Sequence, residues 1–205
     1  MTDPHVPSSR DSELSSSLLV RVRARETTAW ERLVHLYTPL VCRWCQAERL
    51  QPADVQDVGQ EVFQAVWRSI DTFRRERPTD TFRGWLRTIT RNKIVDFYRR
   101  RQAAETPVGG SDALTLAQEV VDSAPIDTDA EVDNAEASLL YRRAVGLIRT
   151  EFQEKTWRAF QALALEDRSP REVAAELGMS VGAVYSAKSR VLKRLHDEFA
   201  DLLDL

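Results

Sequence analysis

Residues Ser169–Leu195, SPREVAAELGMSVGAVYSAKSRVLKRL, constrain the fold more than any other stretch of the chain. Ser169 is an N-cap residue followed by Pro170 at the first helical position, where the missing N–H costs nothing. Glu172 stands three residues after the cap and completes the sequence signature of a capping box. A short helix then carries Val173, Ala174 and Leu177. Gly178 is suited to the left-handed backbone that closes it. Ser180 caps a second helix, with Val184, Ala187, Val191, Leu192 and Leu195 on one face. Two short helices joined by a three-residue glycine-containing turn make a helix-turn-helix. In that motif the second helix enters the major groove with its N-terminal residues on base edges. The candidate DNA contacts are Ser180, Gly182, Tyr185, Ser186 and Ser189, with Lys188, Arg190, Lys193 and Arg194 placed to reach phosphates.

A net charge of −3 looks unsuited to a nucleic-acid partner until its distribution is considered. From Gln102 to Tyr141 there are nine acidic residues and no Lys or Arg, which leaves the remainder of the chain at +6. Arg74–Arg101 alone holds ten basic and three acidic residues. The whole-chain value therefore averages a basic reader with an acidic connector.

Nothing approaches the roughly 20 apolar residues that span a bilayer. The first residues, MTDPHVPSSRDSELSSS, have no apolar core of the kind a secretory signal needs. A cytoplasmic protein with no membrane contact of its own is expected. Cys42 and Cys45 form a lone CxxC, and His5, His35 and His196 are scattered. Zinc takes four ligands, so the two thiols are read as helix-borne core residues, and no metal or cofactor is expected. Glycine-rich phosphate loops, HExxH and a Ser/His/Asp constellation are all missing from the sequence, so an enzyme is not expected.

In chain order, residues 1–12 are polar and proline-bearing and read as disordered. Leu18, Leu19 and Val22 mark a short helix, and Trp30, Leu33, Val34, Tyr37, Val41, Trp44 and Cys45 mark a longer one containing Pro39. Pro52 opens the next helix, with Val55, Val58, Val62, Val66, Trp67 and Ile70 on one face. Asp54, Asp57, Glu61, Gln64 and Arg68 lie on the other. After the polar loop 71–81, Phe82, Trp85, Leu86, Ile89 and Phe97 form an apolar stripe beside a basic row of Arg83, Arg87 and Arg91. Residues 102–135 lack aromatics and read as a flexible acidic linker. A second helical domain, 136–205, starts with Leu139, Leu140, Val145 and Ile148, and holds Trp157 and Phe160 as core residues.

Three segments resemble bacterial sigma factors of the sigma-70 superfamily. The run Asp54-x-x-Asp57-x-x-Gln60-Glu61-Val62-Phe63 is similar to the region-two helix that docks on the polymerase clamp. Phe82-Arg83-Gly84-Trp85-Leu86, continuing to Arg91-Asn92-Lys93 and Asp96, resembles the helix that follows the promoter-recognition loops. Ser180–Val184 resembles the start of the region-four recognition helix. Together they identify the chain as similar to minimal two-domain members of the extracytoplasmic-function (ECF) group. The implied fold is all-α: region two at 13–101, the linker at 102–135, and region four at 136–205 with its helix-turn-helix at 169–195.

The resemblance implies core RNA polymerase binding through Asp54, Asp57, Gln60, Glu61 and Gln64. It implies contact with an opened minus-ten strand through the loop 71–81, with Arg74, Arg75 and Arg77, and through Arg83, Arg87, Arg91 and Asn92. The helix-turn-helix set would read the minus-thirty-five duplex. An anti-sigma factor is the implied inhibitory partner. A linker of thirty-odd residues has a mean span of about 30–35 Å and a reach of about 110 Å. That covers two DNA elements about 70 Å apart. The competing readings are a stand-alone helix-turn-helix regulator and an adaptor that binds polymerase without DNA.

Overall fold

The structure, a computed structural model, describes residues 17–77, 79–105 and 130–203. Its regular elements are helical: α1 Leu18–Arg23, α2 Thr27–Ala47, α3 Pro52–Ser69, α4 Phe82–Glu105, α5 Ala130–Ile148, α6 Glu154–Ala164, α7 Pro170–Leu177 and α8 Val181–Leu203. Single 3-10 turns cover Ile70–Thr72 and Arg149–Glu151. The protein is all-α, as its periodicities require. Its described residues divide into two compact units, one between Val22 and Leu140 and the other from Tyr141 to Leu203 together with residues 17–21. The expected disordered segment 1–12 and most of the expected linker lie outside the described residues.

In the first unit, α2, α3 and α4 pack against one another. Leu33, Leu36, Tyr37, Leu40 and Val41 of α2 meet a valine ladder of α3, Val55, Val58, Val62 and Val66, and all are buried. Pro52 sits in the first turn of α3 behind an extended Gln51, so the ring meets no carbonyl of a preceding turn. Pro39 lies within a continuous α2. Tyr37 and Phe82 pack with tilted rings, 5.1 Å between centroids, and Phe73 meets Phe82 edge-on at 5.4 Å.

The buried stripe of α4 differs from the sequence expectation. It consists of Phe82, Leu86, Thr90, Ile94, Val95 and Tyr98. Trp85, Ile89 and Phe97 flank it half-buried. Thr90 is tolerated in the core because its hydroxyl donates to the Leu86 carbonyl at 2.9 Å. Tyr98 likewise places its hydroxyl on the Glu48 carbonyl at 2.6 Å.

The connector also differs. Helix α4 runs to Glu105 and α5 begins at Ala130, inside the segment read as linker. Residues 136–140 group with the first unit rather than opening the second. The physical cause is Glu136, whose carboxylate is buried against Trp44 and Arg87.

In the second unit, α6, α7 and α8 close around Ala159, Ala162, Leu163, Val173, Ala174, Val184 and Ala187. Trp157 and Phe160 are core residues, as their spacing requires. Gly178 adopts φ 56°, ψ 48°, and the Met179 N–H donates to the Ala174 carbonyl at 2.9 Å. That is the left-handed closure anticipated for this glycine. Ser180 caps α8 through a bond from the Ala183 N–H to its hydroxyl, 3.1 Å. The capping box at Ser169 does not form. Ser169 has the extended N-cap backbone, but its hydroxyl makes no cap bond. Arg171 and Glu172 are exposed, so water can satisfy the first-turn amides. Helix α8 continues past Leu195 because Phe199 and Leu202 extend its apolar face into the core. Leu192, expected on that face, is 37% exposed.

Candidate polymerase and nucleic-acid interfaces

Helix α3 carries the candidate polymerase contacts at helical spacing opposite its valine ladder. Asp57, Gln60 and Gln64 are exposed, and Asp54 and Glu61 are half-buried. Glu61 is held by Arg100 of α4 through two bonds, at 2.7 and 3.2 Å. Beside this stripe, α2 and α3 enclose a groove of about 740 Å³ lined by Trp30, Val34, Phe63 and Trp67, with Gln60 and Gln64 on its rim. Gly59 lies in the groove wall, and a Cβ there would meet nothing within 4 Å. Sequence reasoning did not find this groove, because its walls come from two helices.

The loop before α4 forms a second concavity of about 440 Å³. Its wall includes Thr72, Phe73, Thr81, Trp85 and Thr88. Asp80 organises the loop, since one carboxylate oxygen accepts from the Glu76 and Arg77 amides at 3.1 and 2.8 Å. Arg75 Nε donates to the Asp80 carbonyl at 3.1 Å. Arg74 lines the cavity and turns back onto the Asp71 and Phe73 carbonyls, and Arg77 is exposed. An aromatic wall, hydroxyls and loop arginines suit an unstacked base with its phosphate. Of the wall residues, Trp85 and Thr88 lie beyond the candidate loop 71–81, because hydroxyl and indole groups carry no charge signal in a sequence.

The basic row of α4 is placed differently. Arg83 donates to the backbone and side-chain oxygens of Asp133, each at 2.9 Å. Arg87 Nη2 lies 2.6 Å from both carboxylate oxygens of Glu136. The Trp44 indole N–H donates to the same carboxylate at 2.8 Å, and the Arg87 guanidinium lies 5.0 Å from the Trp44 ring centroid. Arg83 and Arg87 thus face the acidic start of α5. Arg91 is half-buried and Asn92 exposed.

On α8, Ser180, Gly182, Tyr185, Ser186, Ser189, Arg190 and Lys193 are exposed, and Lys188 is half-buried. Arg194 is not available for phosphate. It bonds Glu151 at 2.7 and 3.3 Å and pairs with Glu198, whose carboxylate is fully buried. On α7, Glu176 bridges Arg158 and Arg168 at 2.9 and 2.6 Å, and its bond from Arg168 holds its carboxyl below the usual range. Burial pushes the Cys45 thiol up to about 12 and raises Cys42. Among the described residues no cluster of three or more His, Cys, Asp or Glu is arranged to hold a metal. No described helix is long and apolar enough to cross a membrane.

Residues 33–104, which hold the α3 stripe and the loop concavity, match the family Sigma-70 region 2. The chain is 29% identical to the RNA polymerase sigma factor CnrH of Cupriavidus metallidurans over 169 residues, 82% of this chain and 84% of CnrH. It is 22% identical to the ECF RNA polymerase sigma factor SigW of Bacillus subtilis, covering 89% of this chain and 95% of SigW. The chain carries a Sigma-70 region 2 domain and is similar along most of its length to ECF sigma factors. This sigma factor is also 28% identical to the ECF sigma factor BldN of Streptomyces coelicolor, over 90% of its own length and 66% of BldN. A solved RsbN-BldN complex is similar to it over 86% of this chain and 96% of that one, with 22% identity and a TM-score of 0.34. The region-two match and these relatives make the chain a sigma factor for transcription initiation by RNA polymerase.

Proposed function

We propose that this sigma factor docks on core RNA polymerase through the α3 stripe, Asp54, Asp57, Gln60, Glu61 and Gln64. Residues 13–101 serve as region two, and the helix-turn-helix domain as region four. The loop concavity before α4 receives a base of the opened minus-ten strand, with Arg74, Arg75 and Arg77 near its phosphates. Removing a base from the stack costs a few kcal/mol, and binding to polymerase helps to offset it. Helix α8 reads the minus-thirty-five duplex, where phosphate contacts position the helix and a few base contacts specify. The bond-making chemistry belongs to the polymerase. The protein acts in the cytoplasm, with an anti-sigma factor as its inhibitory partner.

The observation that carries this reading is the Sigma-70 region 2 match, because it contains both the exposed α3 stripe and the concave loop. The test mixes the purified full chain with core bacterial RNA polymerase and selects transcribed sequences from a random promoter library. The expected result is core binding and a bipartite promoter. A chain that leaves core enzyme unbound, yet still binds a palindromic duplex, overturns the reading in favour of a stand-alone regulator.

A further inference from the structure

We propose that this sigma factor recognises thymine 5-methyl groups in its upstream duplex through Val181 and Tyr185. The inference rests on the reading that α8 enters the major groove, and it names what the helix selects there.

Val181 opens α8 and is 39% exposed, and Tyr185, one turn on, is 53% exposed. Residues four apart on a helix are surface neighbours, so the two form one apolar patch. Their exposure is imposed by the fold. Val184, Ala187 and Val191 on the neighbouring face are fully buried, which sets the rotation of α8 about its axis. Gly182 flanks the patch, and a Cβ there would meet nothing within 4 Å, so the helix backbone is bare at this point.

The charge of the same helix names the class of partner. From Ser180 to His196 there is no acidic residue, and Arg190 and Lys193 are exposed beyond the patch. An anionic surface that also offers an apolar group is required. In the major groove the thymine methyl is that group. Double-stranded RNA does not fit, because its major groove is too narrow for side chains to read.

The side chains missing from the first two turns narrow the choice further. Guanine is usually read by Arg or Lys, and adenine by Asn or Gln, through paired hydrogen bonds. Residues 180–187 are Ser, Val, Gly, Ala, Val, Tyr, Ser and Ala, and none of them supplies such a pair. Discrimination at the start of α8 therefore falls to apolar contact and to hydroxyls.

The test uses the full chain bound to core polymerase on a promoter from the selection above. Each thymine of the upstream element is replaced in turn by deoxyuracil, which removes only the 5-methyl group. Affinity is expected to fall about fourfold for each methyl in contact. Val181→Ala or Tyr185→Ala should abolish the thymine–uracil difference at its own position. Tyr185→Phe should retain it, because the ring rather than the hydroxyl makes the contact. Both positions are exposed, and an unchanged thermal melt confirms folding of each variant. Specific transcription with equal affinity for every uracil-substituted promoter overturns the proposal and leaves the major-groove reading standing. A selected upstream element without thymine on either strand does the same. Loss of all upstream sequence preference overturns both. Tyr185-dependent binding to a polymerase subunit instead of DNA overturns the proposal as well.

Discussion

Arg87 and Glu136 form a nearly dry ion pair that ties the start of α5 to α4. One guanidinium nitrogen sits 2.6 Å from both carboxylate oxygens, and the Glu136 side chain is only 3% exposed. The Trp44 indole adds a third bond to the same carboxylate. Removing one partner of a buried pair strands the other, typically at a cost of about 3–5 kcal/mol. Glu136→Ala should therefore accelerate amide hydrogen exchange at residues 131–140 and shift Trp44 fluorescence. An Arg87 held in this way reaches no phosphate until the pair opens. The same variant should bind DNA more tightly at low salt than the parent. Unchanged exchange at 131–140 would show that the pair does not hold the helix.

Gly59 lies in the middle of α3 with open space where a side chain would be. A helical glycine with room for Cβ is about 0.5–1 kcal/mol less stable than alanine. Gly59→Ala should raise the urea midpoint by a corresponding amount without altering the m-value. A lower midpoint would mean that the α2–α3 groove is tighter than its geometry indicates.

Arg194 neutralises Glu198, which is completely buried on α8. Arg194→Ala should destabilise the protein by about 3–5 kcal/mol, since it leaves a carboxylate in an apolar core. The double variant Arg194→Met, Glu198→Leu should be more stable than that single variant, because both charges leave together. Guanidinium unfolding of the three proteins reads the order directly. A double variant less stable than Arg194→Ala would refute the argument.

Cys45 is fully buried, and its thiol is pushed up to about 12 by burial, with smaller contributions from Cys42 and Glu48. An unfolded thiol ionises near pH 8.5. The folded state thus favours the protonated form. The resulting stability is complete below about pH 8.5 and is lost as pH rises toward the folded value. Replacing Cys45 with Ala should flatten this part of the alkaline stability profile. In the native protein, thiol reagents should reach Cys45 only on unfolding, which argues against rapid redox sensing by this pair. Fast native labelling at pH 7 would contradict the burial.

The helix-turn-helix was legible in the sequence because its signals are local. Gly178 closes α7 in the left-handed conformation and Ser180 caps α8 through its own hydroxyl, each within four residues of its partner. The valine ladder of α3 was legible for the same reason, since a 3.6-residue period needs no knowledge of a neighbour. The chain by itself therefore determined the order of the helices, the buried face of α3 and the turn between α7 and α8. Tertiary structure decided what the charges do. Arg83 and Arg87 looked like a free basic row, yet their partners Asp133 and Glu136 lie about fifty residues away in sequence. Arg194 looked like a phosphate contact and instead neutralises a buried glutamate. Leu192 looked like core and faces outward. Charge pairing acts across space and not along the chain. Only the packing of α4, α5 and α8 shows which cations remain for nucleic acid and which hold the fold together.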